Sequence, residues 1–250
     1  MTPQIGAVRA PAGQKVLIVV PAYNEEAALP GVLREIHSAL PDCDVLVIDD
    51  GSTDRTAKVA ATHAVVARLP FNVGVGGAMR TGFRYAMERG YGVVIQIDAD
   101  GQHDPWQAAA LIAGLAEADV VVGTRFSTSD VAWIPGHRRA AMTVLARTVS
   151  GIVRTRVTDS TSGFRAHSSR AIRLFAQHYP TEYLGDTVES LVIAHRAGLR
   201  IAEAPVSMRE RTLGTASQGT ASSVRYVARV LASTYLARIR SWPISGEAAA

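Results

Sequence analysis

Short aliphatic runs alternate with amphipathic stretches along the first half of the chain. Lys15–Val20 has no polar alternation after its lysine, the pattern of a strand buried on both faces. Asn24 suits an N-cap, and the apolar positions after it recur at helical spacing to about Leu40. Asp44–Ile48 reads as a second strand. A helix started by Ser52 or Asp54 runs to about Thr62, and Ala64–Arg68 makes a short strand. Val75–Arg89 has a helical period, Gly92–Ile97 is strand-like, Pro105–Glu117 helical and Asp119–Gly123 again a strand. This βαβα alternation predicts an α/β fold, a mostly parallel sheet with helices on both faces. Further helices are expected at Arg138–Val153, Ser169–Gln177 and Thr187–Ala197, then a strand near Arg200–Val206. Arg209–Ser222 is rich in Gly, Ser, Thr and Gln and reads as a mobile loop.

Composition narrows the class. The 250 residues are 48% hydrophobic and 19% charged, ample for one buried core, and no repeat or linker divides them. Residues 1–14 read as a flexible N-terminus, too polar and proline-broken for a signal peptide. Residues 15–220 form the expected domain and 221–250 a C-terminal amphipathic helix and tail. The net charge of +4 suits anionic ligands or an anionic membrane surface. No dense Lys/Arg block points to nucleic acid. One cysteine, Cys43, excludes an internal disulfide and a Cys-rich zinc site, and suits a reducing cytoplasm. No apolar run reaches the length that spans a bilayer.

The densest chemistry follows the Gly92–Ile97 run, where Asp98 and Asp100 stand one residue apart. In an extended chain such residues share a side. Two carboxylates at the carboxyl end of a strand can grip a hard cation that keeps positions open for phosphates. Asp104 and Pro105 beyond them suit the N-cap and first position of a helix. Two more polar clusters end strands on the same rim, Pro21-Ala22-Tyr23-Asn24-Glu25 and Asp49-Asp50-Gly51-Ser52-Thr53-Asp54. Tyr23 offers a face to a base, and Glu25 or Asp50 can accept from ribose hydroxyls or base N–H groups. Asn24, Ser52 and Asp54 are equally good helix caps. The glycines of Gly74–Gly82 do not make a dinucleotide fingerprint, because Met79 stands where the third glycine belongs. Arg80 and Arg84, one turn apart, read as a solvated helix face.

In order, Pro-Ala-Tyr-Asn-Glu (21–25), Ile-Asp-Asp-Gly-Ser-Thr-Asp (48–54), Asn-Val-Gly-Val-Gly-Gly-Ala (72–78) and Asp-Ala-Asp-Gly-Gln-His-Asp-Pro (98–105) resemble the family-2 inverting glycosyltransferases of GT-A fold. Within these the chain is similar to the dolichol- and polyprenyl-phosphate sugar synthases, from about Val16 to Arg211. The resemblance implies a single GT-A-like domain, its nucleotide-binding half at about 15–125 and its acceptor half at about 126–220. It implies a UDP- or GDP-sugar donor, Mg²⁺ or Mn²⁺, and a nucleotide pocket using Pro21, Tyr23, Glu25, Asp50 and Asp98. It also places Asp98, Asp100 and Gln102 about the metal.

Planar guanidinium groups suit phosphate. Similar arginines of the polyprenyl-phosphate enzymes lie near the acceptor phosphate, which motivates Arg125 and one of Arg138 or Arg139. Asp159-Ser160-Thr161-Ser162-Gly163-Phe164-Arg165 matches the family's Asp-x-x-Ser-Gly-Phe segment, read as a pocket wall or a structural turn, without Asp159 as a catalyst. A basic residue near Arg209 or Arg211 reaches the donor diphosphate in the family, and loop closure there excludes water.

A hydroxyl acceptor needs a general base, whereas a phosphomonoester, with a second pKa near ~6, does not. The arginines and the kinship favour polyprenyl phosphate; a hydroxyl of a glycan and a non-catalytic sugar-nucleotide-binding protein are the alternatives. Asp186, in Leu-Gly-Asp-Thr-Val-Glu, departs from the family's pattern. It is either a base or sugar contact, or the N-cap of a capping box with Glu189. Asp100, Arg125 and Asp186 form the expected catalytic set. In Ser222–Arg240, Val224, Val227, Ala228, Leu231 and Tyr235 share a helical face that packs on the domain or meets a membrane surface. A cytoplasmic protein results, compatible with a peripheral place on the membrane's cytoplasmic face and with a homo-oligomer.

Overall fold

The computed structural model describes residues 13–125, 136–181, 185–209, 235–237, 239–240 and 242–244. Its strands are β1 (Val16–Ala22), β2 (Asp44–Asp49), β3 (Val65–Arg68), β4 (Val93–Gln96), β5 (Val120–Thr124), β6 (Arg165–Ser168) and β7 (Ile201–Pro205). They form one sheet in the order β3-β2-β1-β4-β6-β5-β7. Every pairing is parallel except those of β6, which runs antiparallel between β4 and β5. The helices are α1 (Leu29–Ala39), α2 (Thr56–Ala60), α3 (Val75–Glu88), α4 (Ala108–Gly114), α5 (Gly136–Val153), α6 (Ser169–His178) and α7 (Asp186–Arg196).

The period-2 alternation of β1 divides the core. Leu17 and Val19 face a layer holding Phe83 of α3, Phe175 of α6 and Leu191 of α7. Ile18 and Val20 face a layer holding Leu33 and Ile36 of α1 and Leu111 of α4. Both faces are therefore covered, as the unalternating aliphatic runs predict. Pro21 is paired with Ile48 of β2, but on the β4 side the ladder ends at the Val19–Gln96 pair, so no β4 residue is paired with it there.

Several boundaries differ from expectation. β6 has no counterpart in the sequence reading, because Arg165 and His167 are polar residues turned into the core. His167 packs edge-on against Phe83 and Phe175, at 4.9 and 5.6 Å between ring centres, and burial pulls its pKa down to about 3. Asn24 does not cap α1, which begins at Leu29 after Ala28 with no side-chain cap. Neither Ser52 nor Asp54 is an N-cap: α2 follows Arg55. Asp104 does cap, accepting from the Trp106 N–H, but a 3₁₀ turn over Pro105–Gln107 precedes α4. Arg80 and Arg84 are not a solvated face. They donate to the carbonyls of Gln177 and Ala176, orphan groups in the last turn of α6.

Of the C-terminal segment only 235–237, 239–240 and 242–244 are described: Ala237 and Ile244 are buried against the α3/α6/α7 layer, and Trp242 Nε1 donates to Ala237 O at 3.0 Å. Val224, Val227, Ala228 and Leu231 lie outside the described residues. Among the described residues no helix is long and apolar enough to cross a membrane.

Candidate active site

Strands β2, β1 and β4 lie side by side, so the segments leaving their carboxyl ends meet on one rim. The first two are bound to each other. Asn24 N–H donates to Ser52 Oγ at 3.0 Å, Asn24 Oδ1 accepts from Thr53 N–H at 2.9 Å, and Glu25 N–H donates to Thr56 Oγ1 at 2.9 Å. Asn24 sits at φ 54°, in the left-handed region that asparagine tolerates better than other side chains. Asn24→Ala is expected to lose about 1 kcal/mol more stability than Asn24→Gly, which keeps access to that conformation, in urea unfolding. Tyr23, beside this knot, is 46% exposed.

Asp50 is placed differently from expectation. Its Oδ1 accepts from Val73 N–H at 2.8 Å and its Oδ2 from Gly74 N–H at 2.9 Å. It thus fastens the entry to α3, with one lone pair on each oxygen engaged by these N–H groups. Burial raises its pKa, and the two N–H groups partly counter that.

The third segment departs from the geometry expected of it. β4 stops at Gln96, and residues 99–100 form a turn with Gly101 at φ 77°. Asp98 and Asp100 are therefore not neighbours on an extended strand. Asp98 remains 35% exposed, while Asp100 is buried and its Oδ1 accepts from Gln102 N–H at 3.0 Å. Gln102 is engaged through its backbone, its carbonyl accepting from Arg209 N–H. Asp98 is framed on several sides. Gln96 Nε2 donates to Oδ1 at 3.0 Å. His103 Nδ1 accepts from the Asp98 N–H at 3.0 Å, which leaves its ring proton on Nε2, 3.6 Å from Asp98 Oδ2. His103 is itself stacked on Phe164.

Among the described residues no three acidic, His or Cys side chains gather as a complete metal cage. Two carboxylates, one accessible, fit Mg²⁺ or Mn²⁺, which take few protein oxygens and fill the remaining positions with water and phosphate. Asp98 and Asp100, with the side chain of Gln102, are the residues here that would hold such an ion.

Across from this corner Arg125 follows β5. Its Nε donates to the buried Asp159 Oδ2 at 2.6 Å. Asp159 in turn is set by Glu203 of β7, whose Oε1 accepts from the N–H groups of Thr158 and Asp159 at 2.6 and 3.0 Å. The turn that carries Asp159 also carries Gly163, and a Cβ there would lie 3.1 Å from Asp98 Oδ2. Residues 159–163 therefore line both the carboxylate corner and Arg125. Arg139 is half-buried on α5, and the side chain of Arg138 lies outside the described set.

Asp186 does not form the capping box. It is the first residue of α7, after Gly185, and no side chain caps that helix. Its carboxylate is buried beside Gly76, where a Cβ would come within 3.2 Å of Asp186 Cβ. Oδ2 has no hydrogen-bond partner among the described residues. Burial pushes its pKa up to about 6, with Arg165 opposing and Asp98 adding to the rise.

Arg209, expected near the donor diphosphate, is held here by carboxylates. It pairs with Glu35 of α1 at 2.6 Å and Asp104 at 3.1 Å, and next to it Met208 bridges His103. Arg211 lies outside the described residues. Sequence reasoning missed the structural roles of Asp159, Glu203, Gly163 and Arg165. The Asp-x-x-Ser-Gly-Phe-Arg segment held the signal for all but Glu203, whose position in a strand gives none.

Comparison with known proteins gives the family and the fold. The sequence model described as glycosyl transferase family 2 matches residues 17–178. Undecaprenyl-phosphate mannosyltransferase of Micrococcus luteus is 36% identical over 211 residues, covering 80% of this chain and 86% of that protein. Polyprenol monophosphomannose synthase of Mycolicibacterium smegmatis is 28% identical over 244 residues, covering 94% and 89%. Glucosyl-3-phosphoglycerate synthase of Mycobacterium tuberculosis, solved with Mn²⁺, UDP and phosphoglyceric acid, superposes with a TM-score of 0.70 at 22% identity, covering 94% of this chain and 81% of that one. At that identity the likeness shows the GT-A-like fold alone. The chain belongs to glycosyl transferase family 2 and is a glycosyltransferase.

Proposed function

We propose that the enzyme transfers a sugar from a nucleoside diphosphate to a polyprenyl phosphate, with inversion and with the help of Mg²⁺ or Mn²⁺. One observation carries the reading. The turn 159–163 lies against the Asp98 carboxylate through Gly163 and holds Arg125 through Asp159, so a cation-binding corner and a phosphate-binding guanidinium share one wall. The named substrates of the Micrococcus and Mycolicibacterium relatives support the acceptor class. The Mn²⁺ and UDP of the structural neighbour support the donor and metal.

Tyr23 stacks on the base, and the knot at 24–56 fixes the rim beneath it. A divalent ion bound by Asp98 and Asp100 would neutralise charge on the departing diphosphate. Arg125, its Nε held by Asp159, orients the acceptor phosphate, and Arg139 lies on the helix expected to assist. Near neutral pH that phosphate is largely a dianion, so its oxygen needs no protein base. It attacks the anomeric carbon on the face opposite the diphosphate, and one C–O bond forms as the other breaks. A lipid acceptor places the reaction at a bilayer surface, which a peripheral enzyme can reach.

A second reading rests on Asp186, buried with an open oxygen and a pKa near neutrality, as a general base for a hydroxyl acceptor is expected to be. Asp186→Asn separates the two. The phosphate reading expects less than about 10-fold loss of kcat, whereas loss of a general base costs roughly 10²–10⁴-fold. The same variant has a stability signature. The folded pKa is raised from 3.8 to about 6, so the native protein binds the extra proton between those values. Stability from this group is complete below pH ~4 and is lost as pH rises through ~6. Asp186→Asn is expected to flatten that part of the pH dependence of the melting temperature.

A thermal-shift panel of UDP, GDP and their sugars with Mn²⁺ identifies the donor, since a ligand that binds only the folded form raises the melting temperature. The reading expects one nucleotide class to shift the protein, with the shift removed by EDTA. Equal, metal-independent behaviour of all nucleotides would contradict it.

A further inference from the structure

Resting on that transfer reading, we propose that Arg165 is a positioning residue that sets the cation corner and the phosphate-binding Arg125 together. Arg165 stands on β6, paired with Gln96 of β4 and Val122 of β5, and is only 1% exposed. A guanidinium taken out of water loses several kcal/mol of hydration, usually offset by a carboxylate in direct contact. Here its hydrogen bonds go elsewhere. Nη2 donates to Ser160 O at 2.9 Å and Nε to Ser162 O at 2.8 Å, while Nη1 donates to Ser190 Oγ at 2.9 Å. Asp186, Asp159 and Asp98 act on it only through their field.

The planar fork is thus used to hold two carbonyls of one turn and one hydroxyl of α7. What those bonds fix all faces the site. The turn seats Gly163 on Asp98, where any side chain would come within 2.9 Å of Gln96 Nε2. It also carries Asp159, whose carboxylate holds Arg125. Ser190 lies one helical turn beyond Asp186 and its hydroxyl donates to Thr187 O at 3.0 Å. A shift of the turn therefore moves a donor-side carboxylate and an acceptor-side arginine in concert. A displacement of about 1 Å at reacting groups is enough for roughly a 10²-fold loss of rate.

Arg165→Lys keeps the charge and loses the fork, and Ser190→Ala removes one bond from the α7 side. Both are compared with the parent enzyme by titrating Mn²⁺ in a nucleotide thermal-shift assay, and by measuring kcat and the acceptor KM. Arg165→Lys is expected to weaken Mn²⁺-dependent nucleotide binding about 10-fold, raise the acceptor KM and lower kcat about 10²-fold. Ser190→Ala is expected to shift the same three quantities in the same direction, by about 3- to 10-fold, with a lowered melting temperature because one N–H of the buried guanidinium is left unpaired. A purely structural role predicts lower melting temperatures with all three quantities unchanged in the folded protein, and that result overturns the proposal. If Arg165→Lys does not fold, Ser190→Ala decides by the same criteria. A parent enzyme that binds no nucleotide with Mn²⁺ refutes the transfer reading itself, and the inference falls with it; a working parent with indifferent variants refutes the inference alone.

Discussion

Asp98→Asn is expected to lower kcat/KM by about 10²–10³-fold, the effect of removing one preorganised electrostatic contact from a developing charge. Asp98 is partly exposed, with Gln96 Nε2 and His103 Nε2 beside its oxygens. An amide of the same shape keeps much of this packing, so the melting temperature should change little. Nucleotide binding should lose its Mn²⁺ dependence, because an amide is a poorer oxygen ligand than a carboxylate for a hard cation. Steady-state kinetics and thermal shifts with and without Mn²⁺ check both halves of the expectation. Retained activity with retained metal dependence would move the cation elsewhere.

Arg125→Lys is the second large effect. The guanidinium uses Nε on Asp159 at 2.6 Å, which orients the plane of the fork. Lysine offers a point charge on a flexible stem and cannot both hold Asp159 and present a planar pair of donors to phosphate. The expected loss is roughly 10²-fold in kcat/KM for the acceptor, with the donor's thermal shift preserved. Asp159 would be left buried with a poorer partner, so some stability is lost as well. A donor-side defect with an unchanged acceptor KM would place Arg125 on the wrong substrate.

The placement of these two residues just beyond strand ends was legible in the sequence, and the reason is physical. Strand ends in an open α/β sheet gather at one rim, so a polar residue just after an apolar run is already placed by the topology. Asp98 and Arg125 satisfy that rule. Where the rule gives way to loop detail, the sequence says less. Asp98 and Asp100 share no extended strand, because β4 ends at Gln96 and a turn follows. The partners of Asp50 and Arg209 within the fold, namely Val73 and Gly74 for the one and Glu35 and Asp104 for the other, had no signal in the sequence. β6 was illegible because its pattern is Arg-Ala-His-Ser, and hydrophobic periodicity carries no signal for a buried arginine and a neutral buried histidine. Asp186 was read with its two roles open; α7 begins one residue earlier than expected and removes the cap, while the acid is buried.

Phosphorus NMR of one reaction mixture tests the central claim most directly. With the parent enzyme, the donor chosen by thermal shift, polyprenyl phosphate and Mg²⁺, the phosphomonoester signal should be replaced by a phosphodiester as nucleoside diphosphate appears in equal amount, and neither change should occur in EDTA. Nucleoside diphosphate released while the polyprenyl monoester stays intact, with the sugar found on water or on a glycan hydroxyl, would contradict the account.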